Sequence, residues 1–449
     1  MARRGLANGA LLLLSLLLAL GAVEAGLRWF YPHYRDAAES RLDPDQERIY
    51  KREPHERQAR RHPDSGQPFW GLTNALAAHN HREIPPQRWE RARLVALFGD
   101  SFTANNALPV QYSLQDPLDH LLNAASRPDP AAHPVEVLNF GVNGYGPDQS
   151  WLNYQTTPVR DHLQVVVYLF CANDLLDLEQ NRLLALDPST GTIRHTPPPG
   201  LPWWVPPLSR LHLTYLLLDV KARLKGRLAG EGESFRAENL HLKYVHHLQT
   251  QRREAVFAAN RGERLKSHPI EQALASGTAS PELERTVALF RALMARWQRE
   301  VASRGGRFVV ALLPRPEEEK LLFLFDPETT VVDLAREFRR LQPGYDYARE
   351  GRLQRDGHWN EWSNLLAAVA LQEKLAPLLG GAPLEGEALR RQLTTYYGAF
   401  GGWRPPAQWQ VPIQPDPREG AALRERYLAL EKSLGPPDAG TRERPTVSP

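Results

Sequence analysis

Ser101, Gly144, Asn173, Asp356 and His358 are the residues of this 449-residue chain whose types and settings suit acyl-group chemistry. Ser101 ends Gly99-Asp100-Ser101, directly after the apolar run Leu94-Val95-Ala96-Leu97-Phe98. A serine hydroxyl becomes a nucleophile once a neighbouring base takes its proton. Gly144 lies in Gly141-Val142-Asn143-Gly144-Tyr145-Gly146-Pro147, where a residue without a side chain exposes its backbone N–H to an oxyanion. Asn173 offers a carboxamide donor to the same charge. His358 is the candidate base, and Asp356, two residues earlier, is placed to hold the imidazole's tautomer.

Such distant residues meet only if the elements before them run side by side. The run into Ser101 suits a strand buried on both faces, and Val110 to Ala125 is compatible with a helix after it. Val135 to Phe140 supplies a second strand, ending in the Gly144 loop, and Asp148 is a candidate cap for a helix to about residue 160. A third strand, Val165 to Phe170, leads into Cys171-Ala172-Asn173-Asp174. Successive strand–loop–helix units predict right-handed crossovers and a parallel sheet, in which Ser101, Gly144 and Asn173 stand at one edge. Leu283, Val287, Leu289, Phe290, Leu293 and Trp297 recur at helical spacing over 281–303, before a fourth strand, Phe308 to Pro314. Asp356-Gly357-His358-Trp359-Asn360 then opens a helix to about Leu379.

Gly99-Asp100-Ser101, the Gly144 loop, Asn173-Asp174 and Asp356-x-His358 stand in the order of the four sequence blocks of SGNH (GDSL-type) hydrolases, which the chain resembles over about 92–180 and 305–380. The resemblance implies a three-layer α/β/α sandwich of flavodoxin-like kind. It implies Ser101 as nucleophile, His358 as base and then acid, and Asp356 as its orienting partner. The implied oxyanion hole joins the Ser101 N–H, the Gly144 N–H and the Asn173 side chain. Phe102 replaces the family's usual leucine, and Cys171 a usual glycine. Asp-x-His, followed by Trp359, replaces the usual Asp-x-x-His and resembles the exported polysaccharide O-acetyltransferase branch. The expected activity is ester hydrolysis through an acyl-enzyme, on acyl groups of envelope glycans or lipids. One alternative is O-acetyl transfer to an extracellular polysaccharide, with a membrane partner supplying acetyl groups. A second is a non-catalytic glycan-binding or scaffold module. None of these needs a metal or organic cofactor.

Lys plus Arg (55) nearly balance Asp plus Glu (52), without a basic stripe, so nucleic-acid binding gains no support. The single cysteine, Cys171, excludes an intrachain disulfide and reads as a small buried apolar residue. Arg3 and Arg4 precede an almost wholly apolar Leu6 to Val23, about the length that spans a bilayer's hydrocarbon. The basic flank predicts a cytoplasmic N-terminus and an exported remainder, periplasmic or extracellular. Val23-Glu24-Ala25 also has the small-x-small form of a signal-peptide cleavage site, and either reading exports the rest.

The expected organisation is an anchor or signal segment over 1–26, a stalk and irregular region over 27–90, and a catalytic domain over 91–380. That domain holds a mostly helical insertion over about 180–300, and a Pro-rich extension with a disordered tail fills 381–449. Helices are expected at 208–228 and 236–260, and a short one at 420–434. His79-Asn80-His81 reads as a solvated loop with no third metal ligand nearby. His241, His246 and His247, and the run Arg252 to Lys266, read as solvated helix faces. Trp203 and Trp204 read as packing of the insertion against the core.

Overall fold

The computed structural model describes residues 2–30, 41–42, 48, 50–126, 133–171, 173–187, 189–196, 211–214, 216–217, 220, 281–314, 321–322, 324–400 and 417–434. Trp203, Trp204, His241, His246, His247, Arg252 to Lys266, most of the expected 208–228 helix, all of the 236–260 helix and the tail lie outside the described residues. The chain divides into two compact units, one of 1–51 with 197–260 and the other of 52–196 with 261–449.

In the first unit, α1 (Ala2–Phe30) is a continuous helix, and β1 (Arg41–Leu42) pairs antiparallel with β2 (Tyr50–Lys51). Its segment Leu11–Phe30 is long and apolar enough to cross a membrane, and a signal sequence meets the same test. Near its end, Glu24 accepts hydrogen bonds from the His212 and Leu213 N–H groups at 3.0 and 2.9 Å and from Arg28 at 2.8 Å.

The second unit opens with an antiparallel hairpin, β3 (Arg57–Arg61) and β4 (Pro68–Leu72). There follow β5 (Arg93–Gly99), α2 (Ser101–Ala104), α3 (Gln115–Ser126), β6 (Val135–Asn139), α4 (Pro147–Thr156), β7 (Leu163–Phe170) and α5 (Asn173–Asn181). A small antiparallel hairpin, β8 (Leu184–Leu186) and β9 (Ile193–His195), stands at the start of the insertion expected to be mostly helical. Then come α6 (Pro281–Ser303), β10 (Arg307–Leu312), β11 (Thr330–Asp333), α7 (Leu334–Leu341), α8 (Glu361–Leu378), α9 (Gly386–Phe400) and α10 (Pro417–Leu434).

The sheet runs β11-β10-β7-β5-β6 with every neighbouring pair parallel, so the fold is the expected α/β class. In chain order this is 2-1-3-4-5, whose topological switch lies between β5 and β7. Alternation along the strands sorts the core into two layers. Val95, Leu97, Val165, Val167, Val309 and Ala311 join Leu118, Leu122, Phe338, Leu365 and Val369 on one face, under α3, α7 and α8. On the other, Trp297 of α6 sits fully buried among Phe98, Tyr154, Tyr168 and Phe308, with ring centroids 5.3–5.6 Å apart. Each such large side chain contributes roughly 1.5–3 kcal/mol on leaving water.

Several local expectations are corrected. The helix drawn from Val110 to Ala125 is a short 3₁₀ turn, Val110–Tyr112, then α3, because Ser113 is extended at ψ 153°. Asp148 is not the cap of α4: Gly146 is, Pro147 takes the first turn, and Asp148 is buried within the helix beside Asn181 at 3.2 Å. The helix after His358 begins at Glu361, where the Asn360 side chain accepts the Ser363 N–H at 3.0 Å. β11 is a fifth strand that the sequence reading missed, four residues at the sheet edge with one buried side chain.

His79-Asn80-His81 is not a solvated loop. His79 and Asn80 are 2% and 3% exposed, the His79 N–H donates to Asn139 O at 2.7 Å, and Asn80 bonds Val137 O and the Asn139 N–H at 2.8 and 3.0 Å. This segment therefore covers the open edge of β6, a position that would otherwise leave peptide groups unpaired.

Candidate active site

β5 delivers the nucleophile candidate through a tight strand-to-helix turn. Asp100 caps α2, its Oδ1 accepting the Phe102 N–H at 2.9 Å, and Ser101 is the first helical residue, partly exposed. Gly99 is obligatory there: it takes φ +151°, and a Cβ would stand 2.2 Å from Thr103 Oγ1 and 2.8 Å from Leu169 O.

The loop after β6 lies directly against α2. A Cβ on Gly141 would come within 2.5 Å of Ala104 N and 2.6 Å of Thr103 Cβ, so only a glycine allows this approach. Gly144 follows, exposed, at φ +72°. Its neighbour Asn143 accepts from Asn106 Nδ2 at 3.0 Å, which fastens the loop to the segment after α2.

β7 ends at the other side of the switch point. Asn173 opens α5, and its Nδ2 donates to Asp177 Oδ2 at 2.9 Å, with Asp100 Oδ2 at a longer 3.4 Å. The carboxamide is thus fixed beside the turn that carries Ser101. Behind it, Asp174 is fully buried, and one oxygen, Oδ2, accepts both the Tyr168 hydroxyl at 2.7 Å and the Cys171 N–H at 2.9 Å. Burial and the nearby Asp100 charge push the Asp174 carboxyl well above the usual range. Cys171 is itself buried in the core cluster, and its φ is not positive, so this position takes a side chain without strain.

The base candidate comes from the turn before α8. His358 Nδ1 lies 2.5 Å from Asp356 Oδ1, and the Asp356 carboxylate also accepts the His358 N–H at 3.2 Å. A carboxylate can only accept, so the ring proton sits on Nδ1 and Nε2 is left as the basic nitrogen. Burial raises the Asp356 pKa, but the bond to His358 and its charge more than offset this and hold the carboxyl below its ordinary value. The His358 ring packs against Phe102 with centroids 4.9 Å apart, and the fully buried Trp359 packs on Phe102 at 6.1 Å. The base candidate is therefore anchored on the residue next to Ser101.

No protein-family model matches the chain, and no curated protein matches it. Among solved structures it is similar to an alpha/beta hydrolase enzyme from the metagenome of Lake Arreo, Spain, at 11% identity and TM-score 0.32, over 64% of this chain and 96% of that one. It is also similar to a protein described as lipolytic, of the G-D-S-L family, from Desulfitobacterium hafniense DCB-2, at 11% identity and TM-score 0.28, over 64% and 98% of the two chains.

Sequence reasoning named the five polar and glycine positions but missed what holds them. Gly141 was visible in the loop sequence, yet its close approach to α2 depends on how two distant segments pack. Phe102 registered only as a substitution behind the nucleophile, whereas its ring supports His358. Asp177, which fixes the Asn173 amide, stands one helical turn later, and that spacing is a legible signal for such a bond. Among the described residues, no group of three or more His, Cys, Asp or Glu is arranged to hold a metal ion.

Proposed function

We propose that the protein is an exported serine ester hydrolase of SGNH type, acting through an acyl-enzyme on carboxylic esters such as acyl groups of envelope glycans or lipids. The observation that carries this reading is the Asp356–His358 pair, bonded at 2.5 Å, with the His358 ring packed against the residue beside Ser101 at the carboxyl edge of a parallel sheet. Nε2 of His358 takes the Ser101 proton as Oγ attacks the ester carbonyl, and Asp356 steadies the imidazolium that forms. The developing oxyanion is received by the Ser101 and Gly144 N–H groups and by the Asn173 amide, one N–H of which stays on Asp177 while the other leaves its long 3.4 Å contact with Asp100. His358 then protonates the leaving alcohol, and water repeats the sequence to release the acid.

The test is release of p-nitrophenol from a short-chain ester by the purified chain. Ser101→Ala should lower kcat by about 10³-fold or more, with His358→Ala similar. Equal rates in wild type and Ser101→Ala would end the catalytic reading. The transfer alternative rests on Asp356-x-His358-Trp359, with Trp359 fully buried behind the base. Adding acceptor glycan separates the two: product that stays free acetate at every acceptor concentration excludes transfer.

A further inference from the structure

The base loop and the nucleophile loop are cross-tied by a hairpin that belongs to neither. The turn between Leu353 and Trp359 folds back on itself, with the Leu353 N–H on His358 O at 2.9 Å and the Gly357 N–H on Leu353 O at 2.8 Å. Its tip, Gln354 to Asp356, is exposed, and α8 fixes only the far end of the turn. At that tip the Gln354 and Arg355 N–H groups, each 3.0 Å from one oxygen of Asp64, share a single carboxylate. Asp64 stands on the turn between β3 and β4, some 290 residues earlier in the chain.

A second tie from the same turn reaches the start of α8. His62 Nδ1 accepts the Asp64 and Ser65 N–H groups at 3.2 Å each, so the ring proton lies on Nε2, which faces Glu361 Oε1 at 3.0 Å. Asp64 and His62 thus grip the turn on both sides of Asp356 and His358. The same hairpin also reaches the nucleophile side. Arg60 donates to Asn106 O at 3.0 Å, and Arg52, just before the hairpin, donates to Asn106 Oδ1 at 2.6 Å. Asn106 in turn holds Asn143, next to Gly144.

We propose that Asp64 is a positioning residue for the base: by taking the Gln354 and Arg355 N–H groups, it fixes the turn that presents Asp356 and His358 to Ser101. The inference rests on the ester-hydrolase reading. A base displaced by a fraction of an ångström loses rate without losing substrate affinity.

The experiment compares the full chain in detergent with Asp64→Ala, Asp64→Asn and Asp187→Ala. It follows p-nitrophenyl acetate turnover and, by proton NMR, the low-field Nδ1 proton of His358. Asp187→Ala is the control, since Asp187 organises the β8–β9 turn through Ser189 and Arg194 at 2.9 and 2.6 Å. Asp64→Ala should lower kcat about tenfold with KM within about twofold, and weaken or erase the His358 signal. Asp64→Asn keeps one accepting oxygen and should fall between, and it carries the test should the alanine variant not fold. Asp187→Ala should match wild type.

Wild-type kcat and an unchanged His358 signal in Asp64→Ala and Asp64→Asn would overturn the proposal, as would an equal loss in Asp187→Ala. Were wild type to lack Ser101-dependent turnover, the esterase reading would fall. The His358 signal in Asp64→Ala would still decide the hairpin's role: lost, it upholds the positioning; intact, it refutes it.

Discussion

Asp174 illustrates how one carboxyl can serve a site without touching substrate. Both of its donors converge on Oδ2, and Oδ1 has no hydrogen-bond partner among the described residues. Burial first, and then the Asp100 charge, push this carboxyl toward its neutral form, against the two donors on Oδ2. The raised value favours folding at low pH, and that contribution is lost as pH climbs above the ordinary carboxylate range. Asparagine reproduces the neutral shape, so Asp174→Asn should leave stability at neutral pH unchanged or slightly higher. Asp174→Ala, which strands the Tyr168 hydroxyl and the Cys171 N–H, should cost about 1–3 kcal/mol in urea unfolding. A marked loss in the asparagine variant would mean that the ionised form is the one folded in.

At the scale of elements, the loop after β6 and α2 form one packed unit, and Gly141 is its narrowest point. Gly141→Ala should push the loop off α2, cutting kcat about tenfold or more and lowering stability by about 1–3 kcal/mol. A wild-type rate in that variant would show that the Gly144 loop takes no part in turnover. The Ala78–Asn80 segment makes a different prediction. His79 Nδ1 bonds Ala104 O at 2.8 Å, and burial first, then the Arg52 and Arg60 charges, pushes its imidazole down to about 3. The unfolded chain takes a proton near pH 6.5 that the folded chain refuses. Stability should therefore fall as pH drops from about 6.5 toward 3, by up to about 1.4 kcal/mol per pH unit. His79→Asn keeps a donor for Ala104 O without the titration, and urea midpoints against pH should flatten in that variant.

At the scale of the molecule, Leu11 to Leu18 of α1 present leucines that are 54–76% exposed, an apolar surface that needs covering. The full chain should partition into the detergent phase on Triton X-114 separation, and a chain lacking 2–30 into the aqueous phase with the proposed esterase activity retained. Recovery of both in the aqueous phase would refute membrane tethering. Glu24, which caps the His212–Leu213 segment, stands inside the candidate cleavage motif. The extension after Gly380, read as Pro-rich with a short helix at 420–434, also carries α9, whose Leu389, Leu393 and Tyr397 join the core and whose Tyr396 hydroxyl bonds Gln111 O at 2.6 Å. Their helical spacing was legible, but the surrounding prolines and charges obscured it.

What the sequence by itself determined was local. Uninterrupted apolar runs required strands buried on both faces, and their parallel order required Ser101, Gly144 and Asn173 to share one edge. The Asp356-x-His358 spacing put a carboxylate within reach of an imidazole whatever the rest of the fold. The tertiary structure alone decided what lies between distant segments: Phe102 under His358, Gly141 against α2, Ala78–Asn80 along β6, and Asp64 on the base turn. Those contacts depend on side-chain and backbone surfaces that meet only after packing, and no periodicity along the chain encodes which surfaces will meet.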